Sequence, residues 1–543
     1  MRALPAAPMI YTGGETVLEV DEDGTVTSVC HEADRSLPYL TGLIVSEVVI
    51  AGEVHHPGRP DVLLDADELV ISCEVDGLIR IVVRHILSAG WGLRIAFAAI
   101  GDTALVLDDV RVAMCPVPGQ VGWALAAGAL ASYCVQPAPT DRPLLAGSLR
   151  LGYVDRITAD GLHLGRIELA GNRRFAFSWH WDWYPTPVEV GRSWPSTLPA
   201  SLFATVGDVI EIGRDDDAAL LVSDEVEMRE TEDHIELVSD LVESHDVEQR
   251  SARGTVVVRL RWVPAVEDIV CDRAEAALLE PRTAAGVVRL TSLAEALMLQ
   301  HALAQGMIAD LEDAAEALDL YTARLTASSP IGQSSQPTSS LAAAYLCGEF
   351  HRSGDQDLLD QAVHTLSAVR SPEPGLGVAG TQVCLALVAS GEEMAPVLAH
   401  LSAIATSIPP GDTSLERQIA ELELLSVTST VGAERRPSSA GTLSRAQART
   451  QARGLTTRVA ELGRWFGAGL TGEAVDPLPP ILGTHLSTVL RLVPDGIVED
   501  LRERWGCSPQ RLGERAVPAL VAGLEPGITD LSHVWLMLGR QPG

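Results

Sequence analysis

The sequence predicts a multi-domain protein with an antiparallel β-sandwich in its first half and an all-α helical-hairpin (α/α) domain in its second half. Three observations lead to this fold class. The chain of 543 residues is too long for one core. Its apolar residues alternate at a period of two up to about residue 268 and at a period near 3.6 beyond it. The first part also contains too many strands for one sheet, so two packed sheets are expected.

We therefore expect a β-sandwich domain over 1–268 and a helical-hairpin domain over 269–543. Mobile loops are expected near 326–340 and 429–443, where Ser, Gly and Pro accumulate. In the first domain, a hairpin over 14–30 turns at Asp23-Gly24. The pattern further predicts a meander of four strands, at 68–74, 78–87, 93–100 and 104–114. One short helix is expected at 123–132.

In the second domain we expect roughly nine to eleven helices. Thr291 and Ser292 are candidate N-caps for the first of them. The twelve candidate segments from which this count is drawn are 290–306, 309–325, 341–351, 358–369, 380–390, 394–407, 414–427, 443–466, 484–493, 496–505, 509–523 and 529–539.

The densest aromatic stretch of the chain is Asn172 to Tyr184. In an extended strand, one face would carry five aromatic rings and the other face would carry the polar groups. Two interpretations stay open, a row of rings packed between two sheets or a platform on which sugar rings stack. The rings belong to Phe175, Phe177, Trp179, Trp181 and Trp183, and the polar face carries His180 and Asp182.

Composition excludes several functions. The formal charge of −33 repels phosphate backbones and anionic lipid, so neither nucleic acid nor membrane is an expected partner. All 40 basic residues are arginine, and the missing lysine excludes Walker A loops, protein kinases and pyridoxal enzymes. Eight scattered cysteines give no zinc or redox pair, and no metal or cofactor is expected. The N-terminus lacks the apolar segment of a signal peptide, which predicts a cytoplasmic protein.

One glycine pattern needs separate mention. Gly375-Leu-Gly377-Val-Ala-Gly380 matches the dinucleotide-binding fingerprint, but the residues before it, Ser371 to Pro374, do not form a strand. We expect these glycines to begin a helix and not to bind a dinucleotide.

The helical half carries a resemblance. The segment from Leu341 to Ala362 looks like a helical hairpin with a Gly-Asp turn at Gly354-Asp355. With the β-sandwich before it, the chain resembles bacterial glucoamylases, glycogen-debranching enzymes and disaccharide phosphorylases, in which a β-supersandwich precedes an (α/α) barrel. A barrel of twelve helices needs more residues than follow position 268, so the resemblance leaves open a truncated and non-catalytic member.

The resemblance implies a carbohydrate function. Glycoside hydrolysis needs two carboxyl groups, and the candidate catalytic residues are Glu349, Asp355 and Asp182. We therefore expect a carbohydrate-active or carbohydrate-binding protein, possessing or lacking glycoside-hydrolase activity. The alternative is a non-enzymatic scaffold whose helical domain holds a protein partner. The oligomeric state stays open, and the predicted ligand contacts are Trp179, Trp181, Trp183, Tyr184 and His180.

Overall fold

The computed structural model describes residues 8–64, 68–88, 90–101, 104–125, 127–171, 173–215, 217–251, 254–279, 283–284, 286–327, 338–409, 412–434, 445–493, 499–524 and 529–539. The chain divides into two compact units. The first runs to Arg261 and is completed by two later segments, Arg464–Pro477 and Arg504–Gly506. The second comprises Trp262–Gly463, Leu478–Glu503 and Cys507–Gly543.

The first unit is built on two large antiparallel sheets, as the sequence predicts. The eight-stranded sheet has the order β1-β2-β3-β4-β11-β16-β15, with β5 added on β4. Its strands are β1 (Met9–Gly13), β2 (Thr16–Val20), β3 (Val26–His31), β4 (Asp34–Ile50), β5 (Glu53–His55), β11 (Asp109–Pro116), β15 (Arg156–Thr158) and β16 (Gly161–His163). The hairpin predicted over 14–30 is β2 and β3, with Thr16 opposite His31.

The nine-stranded sheet has the order β26-β12-β13-β14-β18-β9-β8-β7-β6. Its edge strand β26 comes from the late segment of the unit, where Ala474 pairs with Trp123. The strands are β6 (Asp61–Leu64), β7 (Glu68–Val75), β8 (Ile79–Ile86), β9 (Trp91–Ala99), β12 (Val121–Leu125), β13 (Ser132–Gln136), β14 (Leu144–Leu151), β18 (Arg174–Tyr184) and β26 (Glu473–Ala474).

Smaller sheets and one helix complete this unit. The orders are β19-β25-β24-β21, β20-β23-β22 and β10-β17. These elements are β10 (Leu105–Leu107), β17 (Ile167–Leu169), β19 (Phe203–Thr205), β20 (Ile210–Gly213), β21 (Ala219–Leu221), β22 (Glu227–Glu230), β23 (His234–Val238), β24 (Ser244–Ser251), β25 (Gly254–Val263) and helix α1 (Pro187–Ser193).

Two predictions in this unit are wrong. The fourth strand of the expected meander, 104–114, leaves the sheet of β7, β8 and β9, because β11 pairs with β4 in the other sheet. The aromatic strand β18 takes the place beside β9. The expected helix 123–132 is absent from its described residues, which contain the end of β12 and the start of β13. Their all-buried patterns have no period by which strand and helix could be distinguished.

The second unit is helical. Its helices are α2 (Val266–Leu278), α3 (Leu293–Ala304), α4 (Leu311–Ala327), α5 (Thr338–Ser353), α6 (Gln356–Ala368), α7 (Leu376–Ser390), α8 (Ala395–Thr406), α9 (Leu415–Glu434), α10 (Arg445–Gly463), α11 (Pro480–Leu492), α12 (Glu499–Trp505), α13 (Pro509–Gly523) and α14 (Thr529–Leu538). A 3-10 helix, Arg464–Gly469, belongs to the first unit. Ser292 caps α3 through a capping box with Glu295.

Twelve of these helices alternate along the chain between an outer and an inner position, in the order α2, α3, α4, α5, α6, α7, α8, α9, α10, α11, α13 and α14. The inner helices pack in sequence, α3 on α5, α5 on α7, α7 on α9, α9 on α11, α11 on α14, and α14 back on α3. The ring is therefore closed. The expectation of a truncated ring is wrong, because helices of only 10 to 20 residues let twelve fit into this part of the chain, and α2, which was not predicted, supplies one of them.

The expected mobile loops fall largely outside the described residues, at 328–337 and 435–444. The flanking residues are helical, since α4 ends at Ala327, α5 begins at Thr338 and α9 extends to Glu434. Among the helices in the described ranges, none is long and apolar enough to cross a bilayer.

Candidate functional site

The aromatic face of β18 lies in the core between the two large sheets. Trp179 and Trp181 are 0 % and 1 % exposed. Trp181 stacks on Trp91 with ring centroids 5.2 Å apart. Across the strand pair, Gly147 faces Trp181 and leaves the room that the indoles fill. The structure thus places these two side chains in the packed interior, where a sugar ring has no access to them.

The other predicted ligand contacts on β18 are less buried. The indole nitrogen of Trp183 donates to Thr16 Oγ1 at 2.9 Å, and its ring packs edge-on against Tyr39. Tyr184 packs partly buried against a small cluster that contains Trp194. On the opposite face, His180 Nε2 lies 3.3 Å from Asp182 Oδ1.

The remaining β18 candidates lie on both faces of the strand, Trp183 on one and His180 and Asp182 on the other. Asp182 is 43 % exposed in its side chain. The candidate acids Glu349 and Asp355 belong to the other unit. The structure therefore does not bring the three predicted carboxylates together within either unit.

The helical ring contains a cavity of about 800 Å³. Five of its six inner helices line it, α3, α5, α7, α11 and α14. On each of the first three, lining side chains recur at a spacing of three or four residues, which places them on one helical face. The polar lining residues are Gln300, His301, Gln305, His351, Arg352, Thr381 and Gln382, and none of the described lining residues is Asp or Glu.

Glu349 lies directly behind this lining. It is 0 % exposed, and both carboxylate oxygens are engaged. Gln300 Nε2 donates to its Oε1 at 2.7 Å. Arg352 donates to its Oε2 from Nε at 3.0 Å and from Nη2 at 2.6 Å. The predicted catalytic acid is thus an ion-pair partner that does not itself border the cavity.

Arg352 is shared between two carboxylates. Its Nη2 atom also donates to Asp319 on α4. Burial lowers the pKa of Arg352, but the hydrogen bonds and charges of Glu349 and Asp319 outweigh burial and hold that pKa above its ordinary value. Nε and Nη2 donate to these two carboxylates, whereas Nη1 makes no hydrogen bond with the described residues. A guanidinium held in this way presents a fixed pair of donors.

Two imidazoles lie in the same lining. Burial lowers the pKa of His301, against a smaller raising effect of the Glu267 charge. The ring is therefore mostly neutral at pH 7. Its Nδ1 atom is buried without a hydrogen-bond partner among the described residues. His351 lies one residue before Arg352, with its ring 5.3 Å from Phe350. A neutral imidazole can accept a proton from a bound molecule.

Asp355 has a structural position. Its Oδ1 atom accepts the amide of Asp357 at 3.0 Å, which makes it the N-cap of α6. The residue is exposed and does not border the cavity. Glu349 and Asp355 therefore lie on the same hairpin without converging on one ligand.

A second polar cluster lies near the N-terminal ends of α5 and α7. Glu423 on α9 accepts the amides of Gly375 and Gly377 at 2.7 and 3.1 Å. His485 Nδ1 lies 3.5 Å from Glu423 Oε1, and Glu373 accepts Ser340 Oγ at 2.8 Å. Burial, together with the nearby Glu423 charge, raises the pKa of Glu373. The expectation that these glycines begin a helix is confirmed, because their amides bind a carboxylate of the protein itself.

Comparison with known proteins adds to the fold. No family model matches this chain, and no curated protein does. A solved structure described as a polysaccharide lyase superposes with a TM-score of 0.70 at 11 % identity, covering 98 % of this chain and 100 % of that one. The chain shares its fold with that structure. At this identity the likeness establishes the architecture, a β-rich part followed by a helical part.

Sequence reasoning missed most of the cavity. Gln300, His301 and His351 lie on helices whose apolar pattern predicts only a buried face. A signal was present on α5, where Ala344, Gly348 and Arg352 recur every four residues among larger apolar side chains. Small residues at this spacing let another group approach the helix, as the Gln300 amide does at Gly348, but single-sequence patterns do not show that the ring closes around this face.

Proposed function

We propose that this protein is carbohydrate-active and binds a saccharide in the cavity of its helical ring. The observation that carries the proposal is the cavity itself, which is lined by amide, imidazole and guanidinium groups. Such groups fix hydroxyl and carboxylate oxygens by hydrogen bonds, while an apolar remainder packs against sugar C–H faces. The fold shared with a polysaccharide lyase supports this choice.

The lining favours elimination over hydrolysis. A glycoside hydrolase of the usual kind needs two carboxyl groups at the scissile bond, and the described lining contains none. Elimination from a uronate needs a donor for the sugar carboxylate and a base for the adjacent proton. Arg352 Nη1 supplies the first and His301 the second.

In the proposed elimination, His301 takes the proton from C5, the carbon next to the uronate carboxyl. The electron pair of that C–H bond forms a C4–C5 double bond, and the C4–O bond breaks. The departing oxygen takes a proton from His351 or from water, which leaves one unsaturated fragment and one fragment with a free hydroxyl.

Electrostatics sets an expectation for binding. Glu349 and Asp319 offset the charge of Arg352, so the site offers directed hydrogen bonds and little net attraction. Because the chain carries a net charge of −33, an anionic saccharide is repelled at long range, so added salt should leave saccharide affinity unchanged or raise it. Steep weakening between 50 and 500 mM NaCl would argue against this mode of binding.

The test uses the full chain with polygalacturonate, alginate and hyaluronan, and with neutral glucans. Elimination predicts absorbance at 232 nm together with new reducing ends. His301→Asn should reduce this rate by about 100-fold or more. His364→Asn, on the exposed face of the outer helix α6, is the matched control and should keep the rate.

Other outcomes would overturn the proposal in different ways. New reducing ends without absorbance would show hydrolysis. If calorimetry found no binding to any of these saccharides, the carbohydrate function itself would fall. The scaffold alternative would then gain, most directly if the protein co-purified with one stoichiometric protein partner.

A further inference from the structure

We propose that Glu349 is the positioning residue of the cavity, which holds Gln300 and Arg352 in the arrangement that a saccharide meets. The inference rests on the proposed function, since it assigns a role within the same site. Glu349 makes no contact with the cavity space, and it acts only through the two side chains that border it.

The geometry of Glu349 supports this role. Each of its oxygens holds a different residue, Oε1 the Gln300 amide and Oε2 the Arg352 guanidinium. Thr322 Oγ1 also lies 3.4 Å from Oε2. The carboxylate therefore has little freedom to rotate, and its two partners are fixed relative to each other.

Gln300 is held at three points. Its Nε2 atom donates to Glu349 and, at 3.1 Å, to the carbonyl oxygen of Tyr345. Its amide lies across Gly348, where an added Cβ would overlap Oε1 of Gln300. Only a glycine at 348 lets the amide lie this close to the backbone of α5, and so reach Glu349.

Arg352 is held from two helices. Glu349 precedes it by three residues on α5, and Asp319 approaches from α4. With Nε and Nη2 bound, the guanidinium plane is fixed, and Nη1 is the nitrogen that stays available to a ligand. Loss of the Glu349 charge would leave Arg352 with one partner and free to turn about Asp319.

A burial-matched control is available in the same ring. Glu423 is 2 % exposed on inner helix α9 and binds backbone amides at 2.7 and 3.1 Å. It does not border the cavity. Glu423→Gln therefore tests what removal of a buried charge does to the ring in general.

The first experiment needs no saccharide. Phenylglyoxal modifies an accessible arginine side chain in its neutral guanidine form. Peptide mass spectrometry measures the extent of this modification residue by residue. In Glu349→Gln, Arg352 should react several-fold faster than in the wild type, and in Glu423→Gln it should react at the wild-type rate. Equal Arg352 rates in wild type and Glu349→Gln would overturn the inference, whether or not a saccharide binds.

The second experiment measures binding of trigalacturonate by calorimetry. We expect Glu349→Gln to weaken binding roughly 10- to 100-fold, Glu349→Asp to restore part of it, and Glu423→Gln to stay within about twofold of the wild type. In an Arg352→Lys background, Glu349→Gln should cause a smaller additional loss of affinity, because both substitutions disrupt the same arrangement of the Arg352 side chain. Fully additive losses would contradict a role exerted through Arg352. Wild-type protein that binds no saccharide would refute the proposed function, while the Arg352 modification rates would still decide the inference.

Discussion

Glu423 closes the N-terminus of the neighbouring inner helix, with its Oε2 atom 2.7 Å from the amide nitrogen of Gly375. Gly375 is the N-cap of α7, has φ +93° and carries no side chain that could cap the helix itself. An added Cβ there would also overlap the Trp535 ring. A carboxylate from α9 thus supplies the missing cap, and this contact joins two neighbouring inner helices of the ring.

Replacing Glu423 by alanine should destabilise the helical unit. The change leaves two buried helix amides without their acceptor and removes the carboxylate that lies 3.5 Å from His485 Nδ1, so we expect stability to fall by about 3 kcal/mol. Urea unfolding followed by circular dichroism measures it. Glu416→Ala, exposed on the same helix, should cost no more than about 0.5 kcal/mol. Equal stabilities of the two variants would contradict the capping role.

Gly147→Val tests the packing of the aromatic strand. The new side chain would overlap Trp179 Nε1, and a Cβ would lie 2.6 Å from the Trp181 ring. Because overpacked cores must move side chains or backbone, we expect a loss of about 2–3 kcal/mol and altered tryptophan fluorescence. Gly191→Ala, where an added Cβ meets nothing, should leave the emission unchanged and should not lower stability, since alanine favours the helix. An unperturbed emission spectrum in Gly147→Val would show that the rings are not packed as described.

His85 should make the β unit sensitive to acid. Complete burial lowers the pKa of His85 from 6.5 to about 4. Between these values the unfolded chain binds a proton that the folded chain does not, so stability is fully present above pH 6.5 and falls as the pH approaches 4. The loss from this residue should be about 3 kcal/mol.

The measurement compares urea unfolding at pH 7 and pH 4.5 in the wild type and in His85→Phe. Phenylalanine keeps an aromatic ring next to Trp91, on which His85 stacks with centroids 6.2 Å apart. The variant should lose less stability on acidification than the wild type. The same loss in both proteins would assign the acid sensitivity to other groups.

Local patterns carried much of the fold. The alternation from Phe175 to Trp183 predicts a strand, and β18 is one. Ser292 was one of two predicted N-caps, and it caps α3. The sequence did not predict which strands pair. The run of Val110 and Val112 fits either sheet, and only the complete fold selects β4 as its neighbour.

The candidate site was harder to predict for a related reason. Glu349 was identified from a carboxylate on a hairpin, which says nothing of the helix opposite. Its partners Gln300 and Asp319 lie on two other helices. Such convergence depends on how the helices pack, and a single sequence contains no direct signal for it.

Gly348→Ala tests whether the position of the Gln300 amide affects saccharide binding without a large change in the stability of the protein. An added Cβ would overlap Oε1 of Gln300, which is the end of a flexible side chain. The amide can move aside, so we expect a stability change within about 1 kcal/mol, since alanine also favours the helix. The displaced amide would lose its bond to Glu349 and enter the cavity, so trigalacturonate should bind about tenfold more weakly.

Gln300→Ala provides the comparison for this variant. If Gly348 acts only by making room for the Gln300 amide, then Gly348→Ala should have little further effect on binding once that amide is removed. Gly454→Ala, at a helical position where an added Cβ meets nothing, is the matched glycine control. A tenfold loss that persists in the Gln300→Ala background would mean that Gly348 borders the saccharide directly, and that the amide is not what its missing side chain accommodates.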